Sequence, residues 1–394
     1  MNTNTDSIKI GICCITYNRI NSLKRLLNSL EKADYKGHSP TLLISIDKSN
    51  TNLIEDFANK YIWRYGDKKV YTHTVNLGLR NHVLECGSRI KDYDALIVLE
   101  DDITVSPFFY DYAVQTIKKY QNDSQIAGIS LYNFPINYQS RLPFNPVKSD
   151  YDIFMMNCAQ SWGQIWMKEQ WMSFMRWYEQ NKQDFNLRHL PQPLNQWPRS
   201  SWLKYHTRYC IEENKYFVYP YESLSTNNND LGTHVQKETT NYFQSTLQLF
   251  PKAQYKLPEV NECPIKYDGF FEPMFLNKYL NIDTTDLCIN LHGSKDKCLF
   301  KRFLITREKL PFKIIKSFSL KYKPIEANII WDVKGTDFFL YDLTKKVKNN
   351  KFPRGDKQFF NYFYGNAIEK QIKFFGISEP YKTILHKILH RFGI

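Results

Sequence analysis

The sequence predicts a doubly wound α/β fold, a mostly parallel sheet flanked by helices, with a basic C-terminal extension. Three observations carry that expectation. Over residues 9–132, apolar runs of strand length alternate with amphipathic stretches of helical period. Polar residues gather where the apolar runs stop, at the edge where open α/β sheets bind ligands. The charge is lopsided: the net is +13, yet residues 301–394 hold 20 Lys and Arg against 8 Asp and Glu.

The elements follow in order. "KIGICCITY" (9–17) is a buried strand, and residues 21–33 form a helix with Leu23, Leu26, Leu27 and Leu30 on one face. "TLLISID" (41–47) is a second strand, followed by a helix at "NLIEDFANKYIWRY" (52–65). "KVYTHTV" (69–75) is the third strand, "LRNHVLECGSRI" (79–90) the third helix, and "ALIVLE" (95–100) the fourth strand. A helix over 107–121 and a strand around "IAGISLY" complete the alternation. A Trp-rich stretch (159–180) follows, in which Trp166, Gln170, Trp171 and Trp177 partly match helical spacing, as a packed aromatic helix would. The polar loop "STNNNDLGTHVQ" (225–236) comes next, and periodicity weakens from about 255. The pattern divides the chain into an α/β domain over 1–260 and a basic region over 261–394.

That basic region ends in "EPYKTILHKILHRFGI", where Tyr381, Ile384, Leu385, Ile388, Leu389 and Phe392 keep helical spacing beside Lys382, Lys387 and Arg391. Such a stripe either lies in an anionic membrane surface or docks onto the protein's own body. The eight cysteines show neither CxxC nor zinc spacing with His, and several sit in apolar contexts, as thiols of a reducing compartment do. The N-terminus has no signal-peptide pattern, and no 18-residue apolar run occurs. A cytoplasmic protein, with the inner face of the plasma membrane as its one candidate surface, is expected.

The chemistry is expected at the strand ends. The first strand ends in Thr16, Asn18 and Arg19, the second in Asp47, the third in Asn76 and Gly78, and the fourth in Glu100, Asp101 and Asp102. Three adjacent acids repel one another unless a cation neutralises them, and a hard divalent metal with oxygen ligands does so. In extended backbone Glu100 and Asp102 share a side while Asp101 points away. One or two of these carboxylates suit Mn²⁺ or Mg²⁺, with open positions left for substrate phosphates.

These residues carry a family resemblance. "ICCITYNRINSLKRLLNSL" resembles the opening strand and helix of GT-A-fold nucleotide-sugar glycosyltransferases. "NLGLRNHVLECGSRIKDYDALIVLEDDITVSPFFYDY" resembles the acidic metal segment of the N-acetylglucosaminyltransferase I group, and "CAQSWGQIWMKEQW" its Gly-Trp segment. "NKYFVYPYESLSTNNNDLGTH" is similar to a stretch of bacterial polysaccharide glycosyltransferases. The resemblance spans roughly residues 9–235 and implies a GT-A-like sheet. It implies that Thr16, Asn18 and Arg19 border the nucleotide, that Asp47 contacts base or ribose, and that Asn76, Arg80 and Asn81 lie near the diphosphate or donor sugar. Asp102 becomes the direct metal ligand, with Glu100 and Asp101 touching ribose, sugar hydroxyls or metal-bound water. Trp162, Gly163 and Gln164 shape the sugar pocket, and His234 is a further metal ligand or a hydrogen-bonded loop histidine.

One position departs from the pattern. Where the eukaryotic group places an acid before a Trp as general base, this chain has Ser201 before Trp202. A serine needs activation to take a proton at neutral pH. Asp230, Glu212 and Glu213 are the alternatives, with Asp230 favoured for its polar loop; without a nearby carboxylate, inversion of the anomeric centre gives way to retention. The resemblance implies a metal-dependent inverting enzyme moving a sugar from a UDP-linked donor to a glycan acceptor, free or lipid-linked, in bacterial surface polysaccharide assembly. A nucleotidyltransferase would also use a carboxylate pair, but no Gly-rich phosphate loop follows the first strand. A nucleic-acid-binding protein would use the basic quarter, but the first 300 residues are nearly neutral and show no recognised binding motif.

Overall fold

A computed structural model describes residues 8–231, 243–348, 350, 352 and 357–364 of the chain. His234 and the amphipathic stretch at 381–392 lie outside the described residues. The chain divides into two compact units, residues 1–136 with 148–271, and residues 137–147 with 272–394.

The first unit is built on a nine-stranded mixed sheet. Its strands are β1 (Ile10–Thr16), β2 (Thr41–Ile46), β3 (Lys68–Thr72), β4 (Ala95–Glu100), β6 (Ile126–Ser130), β7 (Ile153–Met156), β8 (Gln164–Met167), β9 (Tyr216–Pro220) and β11 (Lys266–Tyr267). Their order across the sheet is β11-β7-β9-β6-β8-β4-β1-β2-β3. β3, β2, β1 and β4 run parallel, with Ile15 opposite Glu100 and Thr16 opposite Ile46. Every residue of β1 is buried, as expected of a parallel strand covered on both faces. Outside the main sheet, β5 (Ile103–Val105) pairs antiparallel with β10 (Ser225–Asn227).

The helices pack where their apolar stripes demand. α1 (Ile20–Glu31) buries Leu23, Leu26, Leu27 and Leu30. α2 (Leu53–Lys60) is shorter than its sequence pattern, because Tyr61 is extended and Lys68 Nζ takes the carbonyls of Ala58 and Asn59 at 2.7 and 2.9 Å. α3 (Gly78–Ser88) and α4 (Phe109–Tyr120) follow the expected alternation.

The Trp-rich stretch departs from expectation. Residues 164–167 form β8, which runs antiparallel between β4 and β6, so Trp166 lies on a strand. The helix α5 (Lys168–Asn181) begins only afterwards. A run of four residues fits either period, and the sheet vacancy between β4 and β6 decides it. Trp166 stacks on Trp171 at 3.8 Å, and Trp202 meets Trp166 edge-on at 5.7 Å. Gly87 of α3 permits close approach here: a Cβ on it would lie 2.0 Å from the Trp171 ring. The α6 helix (Trp202–Glu212) completes the cluster, with His206 stacked on Phe174 at 4.2 Å.

The second unit holds a four-stranded sheet of β12 (Leu287–Asn290), β13 (Phe303–Thr306), β14 (Phe312–Phe318) and β15 (Phe338–Lys346), in the order β12-β13-β15-β14. Leu304, Ile305, Phe318 and Tyr341 form its core, joined by Ile329 of helix α7 (Ile325–Ile330). The weak periodicity of this region thus conceals a sheet, whose strands were obscured by interleaved lysines such as Lys313 and Lys316. Among the described residues, no helix is long and apolar enough to cross a membrane. No disulfide forms among the eight cysteines; seven are buried and Cys298 is exposed.

Candidate active site

The carboxyl ends of β1, β2 and β4 open into a cavity of about 360 Å³, within the range of small-molecule sites. Its lining includes Thr16, Asn18, Arg19, Asp47, Asn76, Glu100, Asp101, Asp102 and Asp230. The three strand ends converge because the parallel register puts them side by side.

The acids are arranged unequally. Asp101 is nearly inaccessible; one of its oxygens accepts from Thr16 Oγ1 at 2.8 Å and the other from Arg19. Burial raises its pKa to about 6, against the lowering pull of Arg19. Asp102 turns Oδ2 toward Arg19 Nη1 at 3.1 Å, whereas its Oδ1 is buried with no partner among the described residues. Burial pushes the Glu100 carboxyl up to about 8, with Asp102 and Asp101 adding to the shift and Arg19, then Trp202, opposing it.

The β5–β10 ladder brings a distant loop to the mouth. Asn228 donates from its backbone N–H and its Nδ2 to the Asp102 carbonyl, both at 2.9 Å. Two residues on, Asp230 accepts from Ser22 Oγ at 2.6 Å and pairs with Arg25. Partial burial works against ionisation of Asp230, but Arg25 and Ser22 outweigh it and hold its pKa below the usual carboxylate value. Asp47 accepts from the amides of Leu77 at 2.8 Å and Gly78 at 3.0 Å, where a carboxylate suits the start of α3. Asn76 donates to the Lys48 carbonyl at 2.9 Å.

Other expected residues lie away from the cavity lining. Arg80 donates to Tyr205 Oη at 3.1 Å, and Asn81 bonds back to the Leu77 carbonyl within its own helix. Trp162 packs among Tyr132, Phe134 and Phe243. Gly163 adopts φ +92°, and a Cβ there would sit 2.6 Å from Ser225 Oγ. Gln164 is buried in β8 opposite Val98, accepting from Trp166 Nε1 at 2.8 Å.

Among the base candidates, only Asp230 lines the cavity. Ser201 is instead the N-cap of α6, its hydroxyl accepting from the Lys204 amide, a role that explains a serine at that position. Glu212 is held by Arg208 Nε and His189 Nε2, both at 2.9 Å, and Glu213 is the C-cap of the same helix. Sequence reasoning passed over Ser22, Arg25, His82 and Ser200. Ser200 and His82 line the cavity, the latter bonded to Ser45 Oγ at 2.8 Å. Only Ser200, adjoining the quoted Ser-Trp pair, had a local signal.

Among the described residues, no three His, Cys, Asp or Glu side chains converge on a metal position. A magnesium-type ion needs fewer protein ligands, one or two carboxylates with the rest from water and phosphate. The unpartnered Oδ1 of Asp102, with Glu100 nearby in the same cavity, fits that requirement.

Residues 12–189 match the family model described as "Glycosyl transferase family 2". No curated protein matches the sequence. Among solved structures, S. aureus TarS 1–349 in complex with UDP-GlcNAc is similar at 13% identity and TM-score 0.41, over 59% of this chain and 62% of that one. GalNAc-T7 with UDP, GalNAc and Mn²⁺ is similar at 14% identity and TM-score 0.38, over 55% and 43%. The mannosyltransferase PcManGT from Pyrobaculum calidifontis, in complex with GDP-Man and Mn²⁺, is similar at 11% identity and TM-score 0.35, over 54% and 55%. The chain thus spans less than two thirds of each of these solved chains. With the parallel strand ends, the acid triplet and the family match all falling on the same segment, residues 12–189 lie in a glycosyltransferase domain of GT-A fold.

Proposed function

We propose that the protein is a metal-dependent, inverting glycosyltransferase that takes a sugar from a UDP-linked donor and passes it to a glycan acceptor. The observation that carries this reading is the cavity at the carboxyl ends of β1, β2 and β4, into which Asp102 brings a carboxylate with one unpartnered oxygen. Thr16, Asn18, Asp47 and Asn76 line the nucleotide side, and Asp102 with Glu100 holds Mn²⁺ or Mg²⁺. A bound divalent ion supplies charge neutralisation for the departing diphosphate. Asp230, kept ionised by Arg25 and Ser22, accepts the proton of the acceptor hydroxyl. The same pairing makes it a weak base, so inversion depends on close positioning more than on basicity.

In this reading the acceptor is a free or lipid-linked glycan of bacterial surface polysaccharide assembly. The basic stretch at 381–392 would hold the enzyme at the cytoplasmic face of the plasma membrane. Release of nucleoside diphosphate from a panel of UDP-, GDP- and dTDP-sugars, with Mn²⁺, Mg²⁺ or excess chelator, tests the core of the proposal. Turnover of UDP-sugars that chelator abolishes is expected. Turnover indifferent to chelator, or none with any donor, overturns it. Sedimentation with anionic vesicles, compared between the full chain and one ending at residue 378, tests the membrane site.

A further inference from the structure

We infer that Arg19 is a built-in counter-ion that keeps a bare divalent cation from the acid pair, so that metal and nucleoside diphosphate bind together. The inference rests on the function proposed above and concerns the same cavity. Arg19 spans both carboxylates, pairing with Asp101 and, through Nη1, with Asp102 Oδ2 at 3.1 Å. Both oxygens of Asp101 are engaged, one by Arg19 and the other by Thr16. Asp101 therefore anchors the guanidinium, and Asp102 alone is divided between Arg19 and an open oxygen.

Charge decides what can enter. Asp101, Asp102 and the guanidinium that spans them carry one negative charge between the three. A divalent ion alone at Asp102 would stand beside a guanidinium already held by the same carboxylate pair, in surroundings that screen their repulsion poorly. Arg19 also stands at the N-cap of α1, where the helix end adds further positive potential. A diphosphate reverses the balance: its oxygens suit the guanidinium fork as well as a carboxylate does. Arg19 can then exchange Asp102 for phosphate, freeing both oxygens of Asp102. On this account Arg19 is a positioning residue that couples metal affinity to nucleotide.

Titration of the full chain with Mn²⁺, following free Mn²⁺ by its paramagnetic resonance signal, tests the inference with and without UDP. Wild-type protein should bind Mn²⁺ at least tenfold more tightly when UDP is present. Arg19→Gln should bind Mn²⁺ alone at least fivefold more tightly than wild type, and its gain from UDP should shrink. Arg19→Lys, which keeps the charge, should stay near wild type in Mn²⁺ binding without UDP. Disruption of the fold would not raise metal affinity, so the gain is specific. Equal or weaker Mn²⁺ binding by Arg19→Gln overturns the inference, as does wild-type affinity unchanged by UDP, a result that needs no variant. Absence of Mn²⁺ binding in all three proteins overturns it too. Because no turnover is measured, a failure to transfer sugar leaves this result standing, and the two readings fail separately.

Discussion

The acid cavity and the tryptophan cluster lie on either side of Trp202, and they are opposites. The cavity brings together five carboxylates and one guanidinium, and leaves Asp102 Oδ1 without a partner among the described residues. The cluster packs Trp166, Trp171, Phe174 and His206 ring against ring, and each is at most 2% exposed. One region spends stability on groups that await a ligand; the other supplies the rigidity that holds them in place. Trp202 joins the two, packed edge-on against Trp166 and favouring the ionised form of Glu100.

The comparison can be broken most severely at Asp102. Asp102→Ala should lower donor turnover about a thousandfold, roughly 4 kcal/mol of transition-state stabilisation. Metal-free thermal melting should be little changed, since the substitution also removes a repelling charge; a large drop in melting temperature would move Asp102 into the scaffold.

Phe174→Ala probes the opposite region. It removes a fully buried ring and should cost about 3 kcal/mol in denaturant unfolding. Retained turnover at temperatures well below the melt would confirm that the cluster acts through stability.

His206 gives the cluster a pH signature. Both ring nitrogens are buried without partners among the described residues, and burial depresses the pKa to about 3. Its unfolded value is about 6.5. The unfolded chain therefore binds more protons between those values, so the stability is complete above about pH 6.5 and falls as pH drops below it. By pH 5 the loss from this residue should approach about 2 kcal/mol. His206→Phe should flatten that part of the pH–stability curve, and an unaltered curve would show that another group titrates.

The smallest effect is expected at the joint. Trp202→Phe keeps most of the packing and removes the indole N–H that favours ionised Glu100, a change of about 1 kcal/mol of stability. Loss of that N–H should move the pH dependence of metal binding upward. No movement would mean that the two regions are coupled by packing alone.

Much of the fold was legible because its signals are local. β1, α1 and β4 announce themselves through unbroken apolar runs or a leucine stripe, and Glu100, Asp101 and Asp102 stand where such a run ends. Trp166 was misread because a four-residue strand carries too short a period to distinguish from the start of a helix. Glu212 resembled a free acid in sequence, but Arg208 lies one turn away and His189 arrives from an earlier loop. Ser201 reads as a displaced base until α6 gives it a helix to cap.

The sequence by itself determined the sheet that carries the site and the edge on which the acids fall, since both follow from hydrophobic period and from the direction of parallel strands. Only tertiary structure decided which charges meet. Arg25 and Ser22 lie 205 and 208 residues before Asp230, and a ladder between two three-residue strands closes that distance. Thr16 and Arg19 likewise find Asp101 and Asp102 through strand order. Periodicity specifies which face of an element is buried, but a salt bridge depends on register between elements, and no local pattern encodes that.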